Sequence, residues 1–368
     1  MKVLHINSYY AQSKFYNNLF EEELKHDIDV RVYVPVSTHF RCSEFNYGWY
    51  TLISRAYPKW KRAIFHFKHW DILRNVQEKY DCANFNLYHA HSWFSNGYVA
   101  YKLNQKFSVP YVVAVRNTDI NVFYKYMLHL RGLGMKILFN ASRIVFISPK
   151  YKENFFAQLP NNDLKNSLLK KSVIIPNGVD DFWLENMYSP REERSKKRVN
   201  LLYVGNIDKN KNLSTTSRAI DLLIKDGFDV TYTVVGKIND QKIFQRLKRK
   251  SYFHYLGVMN KEQLLSVYRE NDIFVMPSYT ETFGLVYVEA LSQGLPVIYS
   301  KGQGFDGWFR DGEVGYPVVS SSYEDIYKKI KDMTINPIRP RNAAEMFAWH
   351  DIAKQYSRLY EEALRGLR

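Results

Sequence analysis

The sequence predicts an α/β protein built from two doubly wound, Rossmann-like domains, and three observations carry that expectation. Its 368 residues exceed what one hydrophobic core usually supports and divide naturally into two domains of about 180 residues. Short apolar runs alternate with helical patterns along the chain, as in parallel sheets covered by helices on both faces. A strand end followed by a turn, Ile174-Ile175-Pro176-Asn177-Gly178-Val179-Asp180, stands near the middle and marks a boundary.

Taken in order, the strand candidates of the first half are Val3–Ile6, Val30–Val34, Leu87–Ala90, Tyr111–Val115, Ile144–Ile147 and Val173–Ile175. The second half repeats the pattern with Leu201–Val204, Thr231–Val235, His254–Leu256, Ile273–Met276, Val297–Tyr299 and Tyr316–Val319. Each is short and apolar, as a strand buried on both faces should be. Tyr188 to Arg198, with Pro190 and seven charges, reads as an exposed connector just inside the second domain. Near the end, Phe347, Trp349, Ile352, Tyr356, Leu359 and Tyr360 recur as one face of an amphipathic helix. Repeats, low-complexity tracts and heptad runs are absent.

The most chemical stretch is Pro277 to Ile298, which reads as loop, helix start, short helix, glycine stop and buried strand. Thr280 and Thr282 offer cap oxygens before a helix expected to begin near Gly284, with Leu285, Val288 and Leu291 on its apolar face. Gly294 and Pro296 end it. The first turn, Phe283, Gly284, Leu285 and Val286, presents backbone N–H groups without intrahelical partners at the positive end of the helix dipole, where a phosphate binds well. Glu281 lies just before this turn and Glu289 on the order of 8 Å further along the axis. A diphosphate between two hydroxyl-bearing rings fits that spacing.

Taken together, Pro277-Ser278, Glu281-Thr282-Phe283-Gly284, Glu289 and Gly294-Leu295-Pro296-Val297 resemble the donor-site signature of family 4 glycosyltransferases. The resemblance implies the GT-B fold: two Rossmann-like domains facing a central cleft, here residues 1–178 on the acceptor side and 179–345 on the nucleotide-sugar side. It also implies that residues 346–368 form a helix crossing back onto the first domain, so that the cleft can close and exclude water. It further implies transfer with retention of anomeric configuration. Glu281 would bond hydroxyls of the transferred sugar and Glu289 those of the ribose. Val204-Gly205-Asn206-Ile207-Asp208-Lys209-Asn210-Lys211 resembles the family's Val-Gly-Arg loop and its following lysine, whose cations neutralise the departing diphosphate. Lys211 matches that lysine. Asn206 stands where arginine is usual; an amide donates a hydrogen bond but brings no charge, which neighbouring Lys209 would have to supply. Met259, closing His254-Tyr255-Leu256-Gly257-Val258-Met259, matches the turn whose backbone reads the base edge. UDP is favoured as the commonest carrier among similar enzymes. On the first domain, Ser8 in a glycine-free loop, His91, Asn117 and Asp119 fall in loops that resemble the acceptor or sugar side, at strand carboxyl ends where open sheets bind ligands. With cations doing this work, neither metal nor cofactor is expected.

Charge and composition narrow the partners. The chain carries 52 Lys and Arg against 37 Asp and Glu, and residues 1–178 hold 24 of the bases but only 12 of the acids. Such a field favours an anionic partner: acidic lipid, a phosphate-linked acceptor or nucleic acid. Residues 55 to 74 interleave Lys59, Lys61, Arg62, Lys68 and Arg74 with Trp60, Phe65, Phe67 and Trp70. That pattern suits an interfacial helix, or equally a helix covering a core with a solvated basic face. No run is long enough to span a membrane and the start turns polar too soon for a signal peptide, so a cytoplasmic protein, peripheral at the inner face of the membrane, is expected. Cys42 and Cys82 stand in no metal-like or redox-like spacing, which excludes a disulfide framework or a structural metal. The expected reaction is transfer of a sugar to a hydroxyl of a lipid-linked glycan or wall-polymer acceptor in cell-surface polysaccharide synthesis. A GT-B nucleotide-sugar 2-epimerase is an alternative, which would need acid/base groups that cannot be assigned. A basic nucleic-acid-binding protein is another, supported by net charge alone and lacking any nucleic-acid motif.

Overall fold

The computed structural model describes residues 1–41, 46–161, 163–189 and 197–366. Cys42 and most of the expected connector, residues 190–196, lie outside the described residues. The chain divides into two compact units: Met1–Ile147 with Lys152–Pro176 and Trp349–Arg368, and Asn177–Ala348 with Ser148–Tyr151.

The first unit is built on seven parallel strands: β1 (Lys2–Ile6), β2 (Asp29–Ser37), β3 (Thr51–Tyr57), β4 (Leu87–Ala90), β5 (Tyr111–Val115), β6 (Arg143–Phe146) and β7 (Ser172–Ile174). Their order is β3-β2-β1-β4-β5-β6-β7. All residues of β4 and β5 are buried, as their apolar sequences require. The edge strand β3 is absent from the sequence expectation, because Thr51-Leu52-Ile53-Ser54-Arg55-Ala56-Tyr57 is half exposed and never forms an apolar run. Its presence also corrects the reading of residues 55–74 as one helix. Pro58 closes the strand, Lys59–Ala63 form a 3-10 turn, and the helix starts only at Phe65, running to Lys79.

The amphipathic C-terminal segment forms the helix Trp349–Arg365, which belongs to the first unit and buries Trp349, Ile352, Ala353, Tyr356, Leu359, Tyr360 and Ala363. It joins Leu19 and Phe20 of the helix Asn17–Lys25 in one apolar cluster with β1, β2 and β5. A polar thread crosses that core. The Tyr360 hydroxyl donates to Glu23 Oε1 at 2.7 Å and lies 2.7 Å from His89 Nδ1. Because the single phenolic hydrogen goes to the carboxylate, His89 carries its proton on Nδ1 and donates to the same oxygen.

The second unit holds six parallel strands: β8 (Arg198–Val204), β9 (Asp229–Val235), β10 (Phe253–Gly257), β11 (Ile273–Val275), β12 (Val297–Ser300) and β13 (Gly315–Val318), ordered β10-β9-β8-β11-β12-β13. Arg198, expected to end the connector, is already the first residue of β8. In both sheets the chain steps outward in one direction and then returns to fill the other side. The reversal falls between β1 and β4 in the first and between β8 and β11 in the second. Doubly wound sheets bind ligands outside the strand carboxyl ends at such a reversal.

Candidate active site

At the second sheet's reversal the loop after β8 and the loop after β11 are stitched together. Tyr279 N–H donates to Asn210 O at 2.8 Å, Thr280 N–H donates to Asn210 Oδ1 at 3.0 Å, and Asn210 Nδ2 returns a bond to Thr280 O at 2.9 Å. Asn212, at φ 62°, is the N-cap residue of the following helix without a side-chain capping bond, and its side-chain amide donates to Pro277 O at 2.9 Å. The asparagines of this lysine-rich loop are thus the fasteners that set its lysines in place. Lys211 is held from its own backbone, its N–H donating to Asp208 Oδ1 at 3.1 Å, and its Nζ lies 2.7 Å from Glu281 Oε2. Both side chains are partly reachable, at 22% and 13% exposure.

Glu281 is fixed on every side. Its N–H donates to Gln303 Oε1 at 3.0 Å, its carbonyl accepts from Gly304 N–H at 3.1 Å and from the Tyr151 hydroxyl, and its Oε1 accepts from Thr282 N–H at 3.1 Å. Gln303 and Tyr151 were not legible as site residues, since each acts through a backbone group far away in sequence. Gly304 passes so close that a Cβ there would sit 1.8 Å from Thr282 O.

The helix occupies Leu285–Ser292, with Gly284 as its N-cap at φ 83°, a left-handed conformation that glycine adopts without penalty. This corrects the expected capping by threonine: Thr280 and Thr282 lie too far before the first turn, and no side chain caps it. The amides of Gly284, Leu285 and Val286 therefore open at the helix start beside Glu281. The Phe283 side chain turns inward, its ring 5.5 Å from Phe347 and 6.3 Å from Trp308, and anchors the loop rather than lining it. Glu289, the fifth helical residue, accepts from the buried Tyr268 hydroxyl at 3.1 Å. Burial pushes its carboxyl up to about 7, with the Tyr268 bond opposing and the Asp180 charge adding to the rise.

The remaining residues expected on the donor side are spread along the same carboxyl edge. Gly205 follows β8 directly, Asn206 is exposed and accepts from the Tyr203 hydroxyl through its carbonyl at 2.6 Å, and Lys209 is exposed. Met259, half-buried, follows β10 on the far side of β9 and precedes the capping box Asn260/Gln263. Thus Lys211, Glu281 and the helix start form one cluster, while Met259 stands two strands from β8.

In the first unit Ser8, His91, Asn117 and Asp119 follow β1, β4 and β5 at the corresponding reversal. His91, Asn117 and Asp119 are buried there and Ser8 is partly exposed. His91 is fully buried, its Nε2 3.1 Å from His5 Nδ1, and burial holds its ring well below the usual imidazole range. Asp119 accepts from the amides of Trp93, Phe94 and Arg116 at 2.9, 3.1 and 2.9 Å. Burial nonetheless raises it to about 6, against those hydrogen bonds. Asn117 accepts from Asn121, and Ser8 N–H reaches Asn96 Oδ1 at 3.4 Å. Two groupings among the described residues bring metal-capable atoms within 4.8 Å of one another: His5 with His89 and His91, and Glu22 with His26 and His350. Cys82 is a buried free thiol pushed up to about 11 by burial.

Two doubly wound parallel sheets of this order define a GT-B protein, and solved structures agree. Sucrose-phosphate synthase from Thermosynechococcus elongatus matches over 100% of both chains with TM-score 0.77 at 18% identity. Anabaena HepE in complex with UDP matches over 98% of this chain and 100% of its own, with TM-score 0.70 at 16% identity. In sequence, the Glycosyltransferase Family 4 signature matches residues 15–181 and the Glycosyl transferases group 1 signature residues 186–347. The chain belongs to the family 4 glycosyltransferases. Among its relatives, a 41.2 kDa protein of the cps region of Klebsiella pneumoniae is 30% identical over 46% of this chain and 48% of its own length. The D-inositol 3-phosphate glycosyltransferase of Paenarthrobacter aurescens is 24% identical over 80% of this chain and 76% of its own. The chain thus spans about half the length of the Klebsiella relative it matches. No helix among the described residues is long and apolar enough to cross a membrane.

Proposed function

We propose that this chain is a glycosyltransferase that moves a sugar, with retention of configuration, from a UDP-sugar to a hydroxyl of a lipid-linked glycan or wall-polymer acceptor in cell-surface polysaccharide synthesis. The reaction would take place on the cytoplasmic side of the membrane. The observation that carries this reading is the meeting of Lys211 and Glu281 at 2.7 Å beside an uncapped helix start. A diphosphate laid on the amides of Gly284 to Val286 would offer the Lys211 ammonium a second acceptor and free the Glu281 carboxylate for sugar hydroxyls. Positive charge fixed in advance at the leaving phosphate then accounts for most of the acceleration. No carboxylate nucleophile is required if the acceptor attacks from the leaving group's own face and a donor phosphate oxygen takes its proton. Glu289 takes the ribose hydroxyls, and Asn206 with Lys209 stands in for the usual arginine. The UDP bound by HepE and the cps location of the Klebsiella relative support the carrier and the pathway class.

Incubating the chain with UDP-, GDP- and ADP-sugars and measuring nucleotide release tests the reading, with chelator added in a parallel series. Release from one carrier class, undiminished by chelator, is expected; loss of release in chelator would overturn metal independence, and no release from any donor would overturn the transferase.

A further inference from the structure

The 3-10 turn Lys59–Ala63 and the helix Phe65–Lys79 lie side by side on the first unit. The helix buries His69, Ile72 and Val76. Phe67, Trp70 and Arg74 recur three and four residues apart on its opposite face. Phe67 is 58% exposed, Trp70 60%, and Trp60 on the turn 63%. Single exposed apolar side chains need no explanation, but a contiguous group of large ones marks an interaction surface.

The group is held open by its own chemistry. The Lys61 ammonium bonds Asp71 at 2.9 Å and sits 5.6 Å from the Trp60 ring and 5.9 Å from the Trp70 ring, so one cation props both indoles. The nearby acids are already engaged, Asp71 by Lys61 and Glu78 by Arg74. Exposed Lys59 and Arg62 therefore give the patch a positive rim.

We propose that this surface docks on an anionic lipid bilayer, with Trp60, Phe67 and Trp70 entering the boundary between headgroups and acyl chains and Lys59 and Arg62 facing the headgroup phosphates. Apolar wedges ringed by cations match that boundary. Ile64, 41% exposed between the turn and the helix, has nothing to gain from stacking on nucleic-acid bases, and the patch lies on a convex helix face rather than in a groove tracking a strand. The assignment deepens the lipid-linked acceptor reading and rests on it for its purpose only, since membrane contact is measurable whether or not sugar moves.

Sedimentation of the full chain with phosphatidylcholine vesicles, with and without phosphatidylglycerol, tests it. The chain is expected to pellet with anionic vesicles, weakly with neutral ones, and less as salt rises. Combining W60S, F67S and W70S should reduce partitioning at least about tenfold, and combining K59A with R62A should reduce it about fivefold per charge on anionic vesicles alone. All five positions are exposed, so unchanged melting temperatures are expected, and the charge variants stand as an independent check if the aromatic triple fails to fold. Nucleotide release by the triple variant in solution should match wild type, which separates loss of docking from loss of transfer. Equal binding to both vesicle types, binding indifferent to the triple variant, a dimer dissolved by that variant, or tighter binding to an oligonucleotide would each overturn the proposal.

Discussion

The Lys211 ammonium and the Glu281 carboxylate lie 2.7 Å apart although seventy residues separate them in sequence. Strand order creates the contact: β8 and β11 are neighbours across the sheet's reversal, so the loops that follow them face each other. Asn210 and Asn212 lock those loops together, and the lysine projects from the joined pair toward the carboxylate.

Removing that cation should act on the chemical step. Lys211→Ala is expected to lower kcat by on the order of 10²- to 10³-fold, the range seen when one preorganised electrostatic contact to a developing charge is deleted. Lys211→Arg keeps the charge with a different geometry and should recover part of the loss. Steady-state kinetics with the donor identified by nucleotide release would show it, and an alanine variant with wild-type kcat would remove Lys211 from the chemistry.

Glu289 makes stability and donor affinity depend on pH in opposite directions. Its carboxyl is raised from 4.5 to about 7, chiefly by burial. The folded chain therefore holds this proton more tightly than the unfolded one, so the contribution is fully present below pH 4.5 and is lost as pH rises through 7. Glu289→Gln should be the more stable protein above neutrality, by at most about 3 kcal/mol, and indistinguishable near pH 4. Donor affinity should do the reverse, rising through pH 7 in wild type as the carboxylate forms and staying flat in the glutamine variant. Melting curves and donor titrations across pH 4 to 9 check both.

Gly304 is needed for the shape of the loop around Glu281. A methyl group there would meet Thr282 O at 1.8 Å, so Gly304→Ala must displace the segment that carries Glu281. A stability loss of about 1 to 3 kcal/mol together with weakened donor binding is expected, measurable by denaturant unfolding and calorimetry. An alanine variant with wild-type stability and affinity would show that the loop yields freely.

The polar thread through the first unit's core has its own test. Tyr360→Phe removes the donor to the buried Glu23 carboxylate and the acceptor for His89, leaving buried polar groups unpaired at a cost of about 1 to 3 kcal/mol. Hydrogen exchange should show the loss first in the helix Trp349–Arg365. Unchanged protection there would mean that apolar packing alone holds the helix.

Much of this architecture was legible because buried parallel strands announce themselves. Leu87–Ala90 and Tyr111–Val115 are apolar throughout and occur where expected. Strand β3 was hidden because an edge strand buries only part of its surface, and its Arg55 and Ser54 break any apolar run. In the candidate site, the position of the helix start followed from Gly284 and the apolar spacing after it, whereas the cap did not, since a glycine in a left-handed conformation replaces the side-chain oxygen that capping rules anticipate. Gln303 and Tyr151 were invisible for another reason: they act on the backbone of Glu281, and backbone contacts leave no pattern in side-chain identity. His91 and Asp119 stood at the right strand ends, but burial and pairing inside the first unit depend on neighbours that the local sequence does not name.

The proposed transfer requires the second unit to grip a nucleotide diphosphate at the reversal between β8 and β11. Calorimetric titration of the full chain with UDP, GDP and ADP at low ionic strength tests it most directly. One of the three should bind with a single site per chain, and Lys211→Ala should weaken that site at least about tenfold. Silence with all three nucleotides, or an affinity untouched by loss of Lys211, would contradict it.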